Sequence, residues 1–146
     1  MTMKKGLKIF LIIAVLGLVT GLSTVYYVFN KPHRNVEDET PSYTMDATAL
    51  YSEYSNDEEA SNLKFADKVI QVNGEIAELS IDGYQVSVVL NDEMEGVSCA
   101  LDSVTIDNHK SVIDALKLGD KITLKGKCDG FDMIMGVVFT RCFIIE

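Results

Sequence analysis

From Lys68 to the C-terminus the apolar residues stop recurring at helical spacing and fall instead at every second position, a switch of period that limits the fold more than any other feature. "KVIQVNGEIAELSI" reads as one long strand with Gly74 inside it, where a missing side chain permits a bend or bulge. Asp82-Gly83 is a hairpin turn signal, and beyond it Val86, Val88 and Leu90 share one face. After the acidic turn Asn91 to Glu95, Val97, Cys99 and Leu101 do the same in "GVSCALDS". Val112, Ile113 and Leu116 return briefly to helical spacing. "LKLGDKITLKGKCDGF" then sets Ile122 and Leu124 against Lys121, Thr123 and Lys125, and "MGVVFTRCFII" closes the chain as a last strand.

Strand, strand, strand, helix, strand, strand is the element order of the OB-fold, a five-stranded Greek-key barrel. An SH3-like barrel lacks the intervening helix, and a sandwich needs about seven strands. The expected fold is therefore all-β with helices: an OB barrel preceded by a transmembrane helix and an amphipathic helix. Gly74 would be the bend that lets the first strand serve both halves of the barrel. The amphipathic helix is read from Ala47, Leu50, Tyr51 and Tyr54, one stripe at i, i+3, i+4 and i+7, with Asp46 placed to cap its first turn. Ser55-Asn56-Asp57 is a poor helix interior and leaves its continuation open. Three regions follow: residues 1–29, a cytoplasmic tip and signal anchor; 30–45, a linker holding both prolines and a charge run; and 46–146, the barrel with its N-terminal helix.

Ile9 to Phe29 is apolar enough and long enough to span a bilayer at helical rise. Lys4, Lys5 and Lys8 precede it, while Lys31 and Arg34 are followed at once by Glu37, Asp38 and Glu39, a bias that favours a cytoplasmic N-terminus and an extracytoplasmic remainder, periplasmic in a Gram-negative cell. A cleaved signal peptide is the alternative. Bulky Tyr26, Tyr27 and Phe29 stand where its small-residue cleavage site belongs. Beyond Arg34 the chain carries 8 Lys and Arg against 22 Asp and Glu, a net charge of −14. Such a domain is a poor match for a polyanion, because affinity for phosphate backbones comes from cations that displace counterions.

Few residues suggest chemistry. His33 lies in the linker and His109 starts the short helix, neither with a nucleophile or carboxylate at a recognisable spacing. Asp129 to Asp132 places two carboxylates in a turn without the further oxygen ligands of a calcium loop. Catalysis, a resident metal and a cofactor are accordingly not expected. Cys99, Cys128 and Cys142 lie in strands with no CxxC or Cys/His spacing. Outside the membrane a disulfide is the natural state; strand phase and barrel ends favour Cys99 with Cys128, leaving Cys142 free, against the alternative of three reduced core thiols. Lys117, Lys121, Lys125 and Lys127 form the single basic cluster of the domain, read as charge balance and edge protection rather than a polyanion groove.

"NDEEASNLKFADKVIQVNGEI", "VSCALD", "LKLGDKITLKGKCDGF" and "VVFTRCFI" together resemble the tRNA_anti-like family, exported bacterial OB-fold proteins. The resemblance covers residues 46 to 145 and implies a fold shared with anticodon-binding domains, with no catalytic residues to carry over. The expected function is a membrane-anchored, extracytoplasmic, non-enzymatic binding module. Its ligand would be a protein segment, an oligosaccharide or a small cationic molecule, met by the barrel face around the second and third strands and the turns at Ser80 to Tyr84 and Asp129 to Met133, with Tyr84, Phe131, Lys121 and Lys125 as candidate residues. Single-stranded nucleic acid, by fold analogy, is the alternative, and one aromatic, Tyr84, is little for it to stack on.

If the apolar run is a retained anchor, intact-mass analysis of the membrane fraction should give a chain that still contains residues 9–29. A product starting near Ser23 or Thr24 would show cleavage and release.

Overall fold

The computed structural model describes residues 4–30, 35–92 and 95–145, and the chain divides into two units, residues 1–34 and 35–146. The first is helix α1, Lys5–Phe29, long and apolar enough to cross a membrane. Two of its hydroxyls bond within the helix, Thr20 donating to the Leu16 carbonyl at 2.9 Å and Thr24 to the Thr20 carbonyl at 2.8 Å, which suits a helix in hydrocarbon. Lys31, His33 and Arg34, named above for charge and chemistry, lie outside the described residues, as do Glu93 and Met94 of the acidic turn.

The second unit contains β1 Tyr43–Asp46, α2 Ala47–Asn56, α3 Glu58–Phe65, β2 Val69–Asp82, β3 Gln85–Leu90, β4 Val97–Leu101, α4 Ser103–Asn108, α5 Lys110–Ala115, β5 Lys121–Asp132 and β6 Gly136–Ile145. Neighbouring strands run β1-β2-β3-β4-β6-β5, and β5 returns to pair with β2, closing a five-stranded barrel to which β1 adds a sixth strand. This is the OB-fold, with α4 and α5 in the place of the intervening helix. The barrel strands pair antiparallel except β4 with β6, which run parallel.

Closure rests on β2. Val69 to Glu75 pair with β5, while Ile76 to Asp82 pair with β3. One residue before the first half ends stands Gly74, where an added Cβ would stand 2.9 Å from Leu90 Cβ and 3.0 Å from Asn91 Oδ1. The close approach of β3 to β2 at the corner therefore depends on the missing side chain. Asn91 fastens the corner: its backbone N–H donates to the Glu75 carbonyl at 2.7 Å, its Oδ1 accepts from the Glu75 N–H at 3.0 Å, and its Nδ2 donates to Thr48 Oγ1 at 2.6 Å.

The alternating residues of the five strands fill the barrel, with Val72, Ile76, Val88, Leu90, Cys99, Leu124 and Phe139 all buried. Ala47, Leu50 and Tyr54 of α2 join the same core, with Tyr51 packed at its margin. The helical stripe is as the spacing predicts. Asp46 holds the N-cap position of α2 without a side-chain capping bond. The capping carboxylate is Asp57, which accepts from the Ala60 N–H at 3.0 Å and starts α3 after a break.

The expected linker is shorter than residues 30–45. Val36 is buried against Val69 and Phe143, the Ser42 N–H donates to the Val69 carbonyl at 2.7 Å, and Tyr43 to Asp46 lie parallel against Ile70 to Asn73. The compact unit begins at residue 35 rather than 46. Its apolar anchors, Val36, Tyr43 and Met45, are too sparse among prolines and charges to produce a period.

Replacing glycine by alanine in a strand ordinarily stabilises slightly, by about 0.4–1 kcal/mol through the unfolded chain. At position 74 the clash with Leu90 should reverse that sign. Gly74→Ala should lose about 1–3 kcal/mol, read as a lower urea midpoint at unchanged slope; an equal or higher midpoint would mean the corner is loosely packed.

Candidate binding face

Outward residues of the barrel follow from the same alternation that builds the core. On the side formed by the second half of β2 with β3 and β4, two cross-strand rows face solvent: Glu78, Val89 and Ser98, continued by Val138 of β6, and Ser80, Ser87 and Ala100. These are short side chains on a shallow surface. A groove of about 440 Å³ runs along it, lined by Ser80, Asp82, Tyr84, Gln85, Ser87 and Ala100 among others. Tyr84, on the β2–β3 turn, is 92% exposed, and Ile81 beside it is also exposed. The β5–β6 turn presents Met133 and Ile134, 89% and 78% exposed. That turn is held by Asp132 Oδ1, which accepts from the Ile134 N–H at 2.8 Å and the Met135 N–H at 3.0 Å. The outward serines and alanine were legible as the polar phase of the strands, and of this surface the sequence singled out Tyr84 together with the turns Ser80 to Tyr84 and Asp129 to Met133.

The lysine row lies elsewhere. β5 has partners on both sides, β2 and β6, so its lysines protect no sheet edge. Lys121 stands opposite Glu75 across the β2–β5 ladder. Lys125 Nζ donates to the carbonyls of Glu37 and Glu39, at 2.5 and 3.3 Å, pinning the segment that enters the domain. Lys127 Nζ lies 3.1 Å from Asp67 Oδ1 and 2.5 Å from Asp129 Oδ1. Charge balance, the first of the two roles read for this row, describes Lys127, which sits between two carboxylates, whereas Lys125 meets backbone carbonyls. Hydrogen bonds that it donates to its two carboxylate partners raise the Lys127 pKa above its ordinary value, that to Asp129 foremost. Burial works against ionisation of Asp129, yet the bonds from Lys127 and from Thr140 Oγ1, 2.7 Å away, outweigh it and lower its pKa.

Phe131 is no part of the exposed face. Its ring stacks on Tyr54 at 6.0 Å and meets Tyr51 at 6.0 Å, fixing α2 to the β5–β6 hairpin. The aromatic-in-a-turn pattern that made it a candidate is explained by this packing: the strand continues to Asp132, so Phe131 precedes the turn.

All three cysteines are buried free thiols. The expected Cys99–Cys128 bridge is absent, and the topology forbids it. Cys99 and Cys128 both stand opposite Phe139, on its two sides, because β6 lies between β4 and β5. Two strand spacings, roughly 9–10 Å, exceed the reach of a disulfide, about 7 Å between Cα atoms. The sequence argument rested on a shared barrel end, where the third strand begins and the fourth finishes, and on inward phase, whereas the last strand runs between the two. Cys128 Sγ is instead 3.4 Å from Tyr54 Oη. Burial, with the Tyr54 bond partly offsetting it, pushes the Cys128 thiol up; burial, reinforced by that same hydrogen bond, pushes the Tyr54 hydroxyl up.

A closed OB barrel with an exposed β2–β4 face and hairpin tips beside it has the architecture of a binding module. The tRNA_anti-like family model matches residues 1–144, and the chain belongs to that family. Among solved structures, it is similar to a Klebsiella pneumoniae lipoprotein for which nucleic-acid binding has been suggested, at 15% identity and a TM-score of 0.54, over 72% of this chain and 93% of that one. It is also similar to an OBody bound to hen egg-white lysozyme, at 20% identity and a TM-score of 0.42, over 57% of this chain and 86% of that one. No curated protein matches the sequence significantly. Family and fold specify no ligand.

The Asp129 pair predicts an acid limb to stability. A carboxylate whose folded pKa lies below its unfolded value, about 3.9, contributes stability that is fully present above that value and lost as pH falls through the folded pKa. Urea midpoints measured from pH 6 down to pH 3 should fall more steeply for the wild type than for Asp129→Asn below about pH 4. Parallel curves would show that the Lys127–Asp129 contact is fully screened.

Proposed function

We propose that this chain is a membrane-tethered, non-enzymatic binding protein that offers the β2–β3–β4 face of its barrel to a segment of another protein on the extracytoplasmic side of the membrane. The observation that carries this reading is the makeup of the face. Its central rows are Ser80, Ser87, Ser98, Ala100 and Val89, short enough for a partner backbone to approach closely, and the exposed Ile81 and Tyr84 at one hairpin tip and Met133 and Ile134 at the other offer apolar contacts beside it. The charges on it, Glu78 and Asp82, favour a neutral or basic segment. An oligosaccharide or a small cationic molecule would meet the same groove, with only Tyr84 for a sugar ring to stack on. The apolar α1 supports the tether, and the lysines before it support a cytoplasmic N-terminus.

Single-stranded nucleic acid is the second reading, favoured by the description of the Klebsiella lipoprotein. Against it, base stacking contributes about 1–3 kcal/mol per base, and this face supplies one tyrosine. Lys125 and Lys127 are engaged with the domain's own carbonyls and carboxylates. A net charge of −14 beyond Arg34 repels a polyanion before contact.

Fluorescence anisotropy with labelled single-stranded DNA and RNA at about 150 mM salt, where unpaired surface charges are largely screened, should show no saturable binding. Detergent-solubilised membranes passed over the protein should yield a partner that Ser87→Arg no longer retains. Micromolar nucleic-acid binding abolished by Lys121→Glu with Lys125→Glu would overturn the reading, and so would a partner indifferent to Ser87→Arg.

A further inference from the structure

A cavity of about 650 Å³ opens where α2 starts beside the first half of β2 and the beginning of β5. It follows from the way the chain enters the domain. β1 runs parallel to β2 as far as Asp46, opposite Asn73, and the backbone then leaves the sheet as α2 at Ala47. Asn91 Nδ2 ties the start of that helix to the corner through Thr48 Oγ1, and Thr48, Ala49 and Ser52 form one wall of the space.

Three charged side chains line the same cavity: Asp46, Glu75 and Lys121. The alternation of β2 puts Asn73 and Glu75 on one face. Asp46 stands beside Asn73 on the β1 side, and Lys121 stands directly opposite Glu75 on the β5 side. None of the three belongs to an ion pair among the described residues. Asp46 makes no capping bond to α2 either, although it holds the N-cap position. Lys125 and Lys127 are engaged within the domain, so Lys121 differs from its neighbours in the row.

We propose that this cavity binds a small diamino acid, a molecule with two ammonium groups and one carboxylate. The Glu75–Lys121 pair sets an anion and a cation on adjacent strands, roughly 4.8 Å apart, which suits the ammonium and carboxylate carried by a single carbon. Asp46 lies one strand over and two residues along from Glu75, a diagonal of roughly 8 Å, and meets the second ammonium group at the end of the side chain. Charges then balance, since two carboxylates and one ammonium leave the site at −1 and the ligand carries +1. A simple diamine would leave Lys121 unmatched, and a phosphate would face two carboxylates. The Thr48 and Ser52 hydroxyls add neutral contacts, and the volume lies within the range of small-molecule sites, about 300–1,000 Å³. The inference concerns a solute rather than a protein segment and does not use the β2–β3–β4 face.

The test is isothermal titration of the full chain in detergent with L-lysine as the probe, at about 150 mM salt, where scattered surface charges are largely screened. L-lysine should saturate one site per chain. Diaminopentane, which lacks the carboxylate, and L-norleucine, which lacks the second ammonium group, should each bind about tenfold or more weakly. Glu75→Gln and Asp46→Asn should each weaken L-lysine by about tenfold or more at an unchanged melting temperature. Lys121→Met should abolish the preference for L-lysine over diaminopentane, a readout that loss of fold would not produce, and Ser87→Arg should change nothing. Absence of saturation, equal affinity for diaminopentane or norleucine, or L-lysine binding indifferent to Glu75→Gln or Lys121→Met would each overturn the proposal.

Discussion

One strand closes this fold. β2 gives its first half to β5 and its second to β3, and it can do both because position 74 has no side chain to keep Leu90 away. Everything else is arranged around that corner. Asn91 bonds it to the start of α2 through Thr48, and β1 covers the side of β2 that β3 leaves open. Closure gives β3, β4, β5 and β6 a partner on each side, so what those strands offer a partner is surface and turns, and the edge that remains belongs to β1. The exposed surface of β2, β3 and β4 and the two hairpin tips are the consequence.

Charge is distributed with the same economy. With 8 cationic side chains beyond Arg34 against 22 acidic ones, a lysine engaged inside the domain is unavailable to a ligand. Lys125 holds the entering segment by its carbonyls, and Lys127 sits between two carboxylates. The face left exposed is consequently small-featured and weakly acidic. Single-strand-binding surfaces combine cations with stacked aromatics, and the proposed reading rests on this face offering few of either.

The strands were legible because alternation survives in them almost without interruption: Val86, Val88 and Leu90, or Ile122 and Leu124, face one way and are buried. The stripe of α2 was legible for the corresponding helical reason. β1 was not, since four residues cannot display a period and Tyr43 and Met45 follow a proline-rich, charged stretch. Pairing was the harder quantity. Phase along a strand says which side chains point inward, not which strand lies beside which, and so Cys99 was matched to Cys128 although β6 runs between them. Phe131 looked like a turn aromatic because the reach of β5 to Asp132 depends on its pairing with β6. The proposed binding face had the same fate: its serines are unremarkable singly, and become a surface only when three strands align them.

The claim that ligand recognition belongs to the β2–β3–β4 face is tested most directly by placing a photo-cross-linking side chain at Ser87, at the centre of that face, and separately at Thr123, on the outer face of the lysine strand, in the full chain in intact membranes. The account predicts a discrete adduct on illumination from position 87 and none from position 123. An adduct from position 123 alone would contradict it and move recognition to the lysine-bearing side of the barrel.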